Sequence, residues 1–225
     1  MKANFFTIGI LFISNFLPAQ QISISEMARN THFEKSIDEV NNGPKKIKYS
    51  DIQGVPYYYL DFKQARLGDT STLFSIRYNI FLDTIEVLTN SDVFEIPKED
   101  SFSKFTVMTT GEKLVLINTN DELSGYFFEL ADGKNKLLKK VSTKFKKEIP
   151  APNTLIPGIP AKFEKQSPNY YIKTNQNLIK VPKNSKELLS HFPENKTDLE
   201  KFIKTNKINI KQEIDLIKLV NFLNQ

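Results

Sequence analysis

Residues 73–97 read Leu-Phe-Ser-Ile-Arg-Tyr-Asn-Ile-Phe-Leu-Asp-Thr-Ile-Glu-Val-Leu-Thr-Asn-Ser-Asp-Val-Phe-Glu-Ile-Pro, and their alternation decides the fold. Phe74, Ile76 and Tyr78 fall on one face of an extended segment, with Ser75, Arg77 and Asn79 on the other, the period of a half-buried strand. Ile85 and Val87 continue the buried face after a short loop. Centring the hairpin between Phe81 and Leu82 sets Tyr78 opposite Ile85, Ile76 opposite Val87 and Arg77 opposite Glu86. A one-residue slip would break the apolar and charged matches together. The loop Ile80-Phe81-Leu82-Asp83 lacks the glycine of a tight two-residue turn, so a four-residue loop around a type I turn is expected, with Phe81 and Leu82 resting on another part of the chain. The polar turn Thr89-Asn90-Ser91-Asp92 then puts Phe94 opposite Val87, Ile96 opposite Ile85 and Glu95 beside Glu86. Arg77, Glu86 and Glu95 are expected to form a solvated cross-strand cluster contributing about 0.2–1 kcal/mol per good pair.

Working outward, strand patterns occur at Lys46-Ile47-Lys48-Tyr49, at Tyr57-Tyr58-Tyr59-Leu60-Asp61-Phe62, over residues 102–108 and 113–117, and at Tyr126-Phe127-Phe128-Glu129-Leu130. The three tyrosines must divide between two faces, one packing in the core and the other covering a sheet edge or offering a stacking platform. The polar loop 118–125 has oxygen-bearing residues at spacings near those of a calcium loop, but Leu123 stands where the sharp-turn glycine belongs, so a hairpin loop is expected. Residues 135–147 read as one long strand in which Leu137, Lys139, Val141, Thr143 and Phe145 share a face. Lys136, Lys140, Lys144 and Lys146 form a row on the opposite face. That row is the candidate surface for an anionic ligand such as lipopolysaccharide, phospholipid headgroups or an acidic glycan. Ordinary solubilising charge, or protection of a sheet edge, is the plainer reading. Prolines 150, 152, 157 and 160 preclude regular structure, after which residues 162–164, 169–173 and 178–181 give further strands. The last forty residues change period. Asn184 with Glu187, Thr197 with Glu200 and Asn209 with Gln212 each look like a helix start, the last opening an apolar stripe of Ile210, Ile214, Ile217, Val220 and Leu223.

The 225 residues, 40% of them hydrophobic and 18 of them Phe, suffice for a packed core. Residues 1–19 have the form of a secretory signal: Lys2, an apolar run from Phe5 to Leu17, and Ala19 at the cut. The run is shorter than the roughly 20 residues that span a bilayer. Its removal would lower the formal net charge of +5 by one. Cysteine is absent, which excludes disulfides, thiol nucleophiles and thiolate metal sites. His32 and His191 stand far apart, His191 near a helix end that suits a cation. The eight glycines form no G-x-G or phosphate loop, and no G-x-S-x-G occurs. No catalytic residue, cofactor site or metal site is therefore assigned, and carboxylate chemistry is the remaining enzymatic route.

Gly54-x-Pro56-Tyr57, Arg77-Tyr78-Asn79, Asp83-x-x-Glu86 and the helical end Leu199-Glu200-Lys201-Phe202-Ile203-Lys204 together resemble a family of uncharacterised exported proteins of Gram-negative bacteria. The resemblance implies a signal peptide, a β-rich body and a helical C-terminus. It brings no activity, cofactor or binding residue. The expected architecture is mainly β (α+β): an antiparallel meander sheet, open or curled toward a barrel or sandwich, with short C-terminal helices. It divides into a signal peptide (1–19), a partly irregular N-terminal segment (20–46), a β domain (47–182) and a helical segment packed on the sheet (183–225). The expected function is that of a soluble exported, non-enzymatic envelope or secreted module, periplasmic or extracellular, that binds an envelope protein, an anionic glycan or lipopolysaccharide. Nucleic acid is not expected as a partner, nor a membrane span after signal cleavage. The alternative is a carboxylate-dependent hydrolase acting on polysaccharide.

Overall fold

The computed structural model describes residues 52–90, 92–119 and 121–225. The expected signal peptide, the expected irregular N-terminal segment, His32 and the strand expected at residues 46–49 lie outside the described residues. Among the described residues there are twelve strands: β1 Lys63–Leu67, β2 Leu73–Asn79, β3 Thr84–Thr89, β4 Asp92–Glu95, β5 Lys104–Val107, β6 Lys113–Ile117, β7 Gly125–Ala131, β8 Lys136–Lys140, β9 Thr143–Lys146, β10 Lys162–Lys165, β11 Asn169–Lys173 and β12 Leu178–Lys180. Ten of them form one antiparallel sheet in the order β12-β11-β8-β7-β6-β5-β1-β2-β3-β4, and β9 pairs with β10 in a separate two-stranded sheet. Two meanders, β1 to β4 and β5 to β8, are thus joined side by side where β5 pairs with β1. No helix among the described residues is long and apolar enough to cross a membrane.

The register of the central hairpins is the expected one. Ile76 pairs with Val87, Arg77 with Glu86 and Tyr78 with Ile85. Val87 pairs with Phe94 and Glu86 with Glu95, and the Ile96 N–H donates to the Ile85 carbonyl at 2.8 Å. The loop between β2 and β3 has four residues. Asn79 Oδ1 accepts from the N–H groups of Phe81 and Leu82 at 3.1 Å, and Asp83 closes the turn at φ 57°. Phe81 rests on Phe163 of β10, ring centroids 5.3 Å apart.

One face of the sheet is apolar along its length. Over β1 to β7 it carries Ala65, Ile76, Tyr78, Ile85, Val87, Phe105, Leu114, Tyr126 and Phe128. The sheet curls around this cluster without closing, since the Tyr78 hydroxyl donates to the Tyr126 carbonyl at 3.2 Å although β2 and β7 are four strands apart. Over β8, β11 and β12 the same face continues as Leu137, Ile172 and Ile179. Three helices cover it: α1 Ser185–Ser190, α2 Lys196–Thr205 and α3 Glu213–Leu223. Leu188, Leu199, Leu216, Leu219 and Val220 are fully buried there, each contributing about 1.5–3 kcal/mol. Val115, Ile117, Phe127, Leu138 and Tyr171 form a smaller cluster on the other face.

Several expectations are corrected. The charged cluster is not solvated. Glu86 is 6% exposed and accepts from Arg77 Nε at 3.1 Å and Nη2 at 2.7 Å. The Arg77 guanidinium lies 3.6 Å from the ring centroid of Tyr57 and 4.4 Å from that of Phe62. The tyrosine segment is irregular and folds over this face, joined to β2 by a Tyr57–Asn79 bridge, and so removes the water that an open sheet face would have. The single strand at 135–147 is two, β8 and β9, which part at Val141-Ser142 and enter different sheets. Phe102 lies in a 3₁₀ turn, Asp100–Phe102, ahead of β5. Asn184 caps α1 as expected, accepting from the Glu187 N–H at 2.8 Å, whereas α2 starts two residues earlier than expected, after Asn195, whose side chain makes no capping hydrogen bond. In α3 Ile214 is 61% exposed and Leu216, Leu219 and Val220 make the buried stripe. Ile210 precedes the helix but is buried with it, and Ile217 and Leu223 pack beside the same cluster, so of the expected stripe Ile214 alone faces outward.

Candidate functional site

The four lysines of the candidate row are divided among different surroundings. Lys136 on β8 binds Glu129 at 2.9 Å and Asp132 at 2.6 Å. Lys146 on β9 binds Glu164 of β10 at 2.6 Å. Lys144, also on β9, is exposed and has no acidic partner among the described residues. Lys140 is turned inward: its ammonium donates to Asp83 Oδ1 at 2.8 Å and to the Tyr126 carbonyl at 2.9 Å, and it lies 4.6 Å from the Phe127 ring centroid. Burial holds the Lys140 amine below its ordinary pKa, the charge of Asp83 opposing that shift.

Asp83 is the centre of a knot. Besides Lys140 it accepts from Tyr78 Oη at 2.6 Å, Lys98 Nζ at 3.0 Å and the Tyr126 N–H at 3.3 Å. It reaches β7 because residue 125 is glycine, with φ 152°. A Cβ there would stand 1.7 Å from Asp83 Oδ2. Every partner of Asp83 is a protein donor, so the knot ties the β2–β3 loop to β7 and β8. Of the motif residues, Tyr78 and Asp83 belong to this knot and Tyr57, Arg77, Asn79 and Glu86 to the adjoining arginine stack, while the Pro56 carbonyl accepts from the Ile80 N–H at 2.8 Å. The tyrosines are likewise engaged: Tyr58 Oη donates to Glu112 at 3.1 Å, Tyr59 donates to the same carboxylate, and Tyr58 lies against Phe128 with centroids 4.5 Å apart. Tyr170 Oη and Lys139 both bind Glu213 at 2.9 Å.

These phenols make stability sensitive to alkali. Tyr58 is pushed up to about 12 by burial and then by Glu112, and Tyr170 to about 12 by burial and the hydrogen bond to Glu213. Tyr78 is raised well above the ordinary value of 10.0 by burial and Asp83. A raised pKa in the folded chain contributes stability that is complete below about 10 and is lost as pH climbs through the folded values. Lys140, shifted the other way, gives a single opposing contribution. The urea midpoint is expected to hold up to about pH 9.5 and fall steadily between about pH 10 and 12. A midpoint unchanged at pH 11.5 would contradict this.

An open place for a ligand lies at the far end of the sheet. A cleft of about 780 Å³ runs between the turn before β8, the turn joining β11 to β12, the α1–α2 junction and the chain's C-terminus. Ile179, Phe192 and Leu223 supply its apolar floor, and seven of its lining residues carry carboxamides. Two of those seven are structural. Asn135 N–H donates to Asn224 Oδ1 at 2.8 Å, and Asn224 Nδ2 returns a bond to the Asn135 carbonyl at 2.9 Å. Gly133 permits that contact, since a Cβ there would meet Asn224 Nδ2 at 2.5 Å. The β11–β12 turn is fixed by Thr174 Oγ1, which accepts from the N–H groups of Gln176 and Asn177 at 3.3 and 3.0 Å. The side-chain amides of Asn175, Gln176, Asn177 and Asn195 make no hydrogen bond among the described residues and stand on the cleft wall beside His191, Lys134 and Glu194. In the sequence Thr174 to Asn177 reads only as a turn between two strands, and no local signal marks Asn195. No group of three or more His, Asp or Glu side chains among the described residues is placed to hold a metal.

The features together define a curled, open antiparallel sheet with a helical cover on one face and an amide-lined cleft at one end. No known family model matches the chain, and no curated protein and no solved structure matches it.

Proposed function

We propose that the protein is an exported binding module, and that the amide-lined cleft takes a glycan or a similar polyhydroxylated ligand. Export rests on the form of residues 1–19, with a basic start, a short apolar run and a small residue at the cut. Binding rests on one observation: four carboxamide side chains with unused donors and acceptors converge on a cleft with an apolar floor. A carboxamide offers two N–H donors beside an acceptor oxygen, which matches neighbouring hydroxyls that both give and take hydrogen bonds. The apolar floor suits the C–H face of a sugar ring, and the cleft volume falls in the range of small-ligand sites, about 300–1,000 Å³. Glu194 is the one carboxylate side chain on the lining. Glycoside hydrolysis of the usual kind needs a pair.

The test is a glycan array probed with the full chain, followed by titration calorimetry on whatever is retained. Asn177→Ala combined with Asn195→Ala is expected to weaken binding about tenfold or more, each lost hydrogen bond contributing about 0.5–1.5 kcal/mol, and to leave the urea midpoint in place because both side chains are exposed. Retention of no glycan, or an affinity indifferent to both substitutions, would remove the cleft as the binding site.

A further inference from the structure

The β9–β10 ribbon extends beyond its assigned strands. Lys146 pairs with Lys162, and the same antiparallel frame continues to Ile149 and Ile159, which exchange two backbone hydrogen bonds of 2.8 Å. Beyond them residues 150–158 form a tip in which Asn153 Oδ1 accepts from the N–H groups of Leu155 and Ile156 at 3.0 Å. Four prolines between residues 150 and 160 restrict its backbone further. At its base the ribbon is covered, with Phe145 and Phe163 packed against Ile52, Ala161 and Phe81. Toward the tip the covering stops. Leu155 is 90% exposed, and Ile149, Ile156 and Ile159 are 58%, 53% and 54% exposed.

The same ribbon is basic. Residues 143–165 hold five lysines against two glutamates. On the face away from the body, cross-strand pairing sets Lys144 beside Glu164 and Lys146 beside Lys162. Glu164 is engaged by Lys146 at 2.6 Å and Lys162 at 3.1 Å.

We propose that this ribbon docks the protein on an anionic phospholipid surface, independently of the cleft. Leu155 and Ile156 enter the boundary between headgroups and acyl chains, while Lys144 and Lys147 lie against the phosphates. Charge and size select this occupant. An excess of lysine complements an anionic headgroup layer, and a few apolar side chains with basic neighbours suffice for shallow, reversible insertion. A stable protein interface needs roughly 1,000 Å² or more, beyond what four aliphatic side chains at the end of a ribbon provide.

The test is co-sedimentation of the full chain with phosphatidylcholine vesicles containing or lacking phosphatidylglycerol. Leu155→Asp with Ile156→Asp, both at exposed positions, is expected to keep the urea midpoint and lose about tenfold in vesicle affinity. Because the readout is the difference from wild type, contributions from elsewhere in the chain cancel. Lys144→Glu with Lys147→Glu is expected to cause a similar loss, and wild-type binding is expected to weaken as salt rises from about 0.05 to 0.5 M. Equal binding by wild type and the tip variant would overturn the proposal. So would retention only on vesicles carrying lipopolysaccharide, or a concentration-dependent dimer that the tip variant abolishes without any vesicle binding.

Discussion

Arg77→Ala is expected to lower the free energy of unfolding by about 3–5 kcal/mol, the loss typical when one member of a buried ion pair is removed and the other is left without its cation. Glu86 is 6% exposed, and its remaining donor, Asn79 Nδ2, stands at 3.4 Å. The guanidinium also fills the space between Tyr57 and Phe62, so its loss leaves a void as well as a stranded carboxylate. Arg77→Lys keeps the charge but not the planar fork that stacks and chelates, and about 1–2 kcal/mol of loss is expected. Arg77→Met with Glu86→Leu removes the charges together and is expected to recover more than half of the deficit. Urea unfolding at pH 7 measures all three. An Arg77→Ala midpoint within experimental error of wild type would mean that the pair is screened by solvent.

The second large effect is expected at Asp83. Asp83→Ala leaves the Tyr126 N–H without an acceptor and the inward-turned Lys140 ammonium without its counter-charge, with only the Tyr126 carbonyl left to both Lys140 and the Tyr78 hydroxyl, and a loss of about 3–5 kcal/mol is expected. Gly125→Ala reaches the same outcome from the other side, because the new methyl group occupies the place of Asp83 Oδ2 and strains a backbone that favours glycine. The double variant is expected to be little worse than either single one, since one contact cannot be lost twice. Losses that add in full would show the two positions to be independent, contrary to the geometry.

The central hairpins were legible because three local signals agreed on one register: apolar alternation, the Arg77–Glu86 match and the loop length between Asn79 and Thr84. β1 was not, since Lys-Gln-Ala-Arg-Leu buries only Ala65 and Leu67 and carries no β-branched residue. Its place beside β5 depends on contacts distant in sequence that no local pattern encodes. The lysine row misled because period-two alternation runs through Val141-Ser142, where the chain leaves one sheet for another. Glu86 misled because the segment that covers it, Tyr57 to Phe62, is irregular and has no period to read. The cleft was invisible for a different reason. Asparagine serves turns, caps and ligand contacts with the same atoms, so only the folded chain separates Asn224, which braces the wall, from Asn177, which faces the opening.

Lys140 and Asn169 are direct neighbours across β8 and β11, so everything from Val141 to Pro168 is a detour that departs from and rejoins the large sheet at one point. Such a lobe can be shortened, exchanged or grafted elsewhere while all ten strands of the main sheet keep their partners. Among the described residues its backbone ties to the remainder run through Gln53, which donates to Ala161 at 2.9 Å and accepts from Phe163 at 2.8 Å, and through the Ile80 carbonyl, which accepts from Thr143 at 3.3 Å. The molecule is thus built as a stiff chassis with an interchangeable attachment.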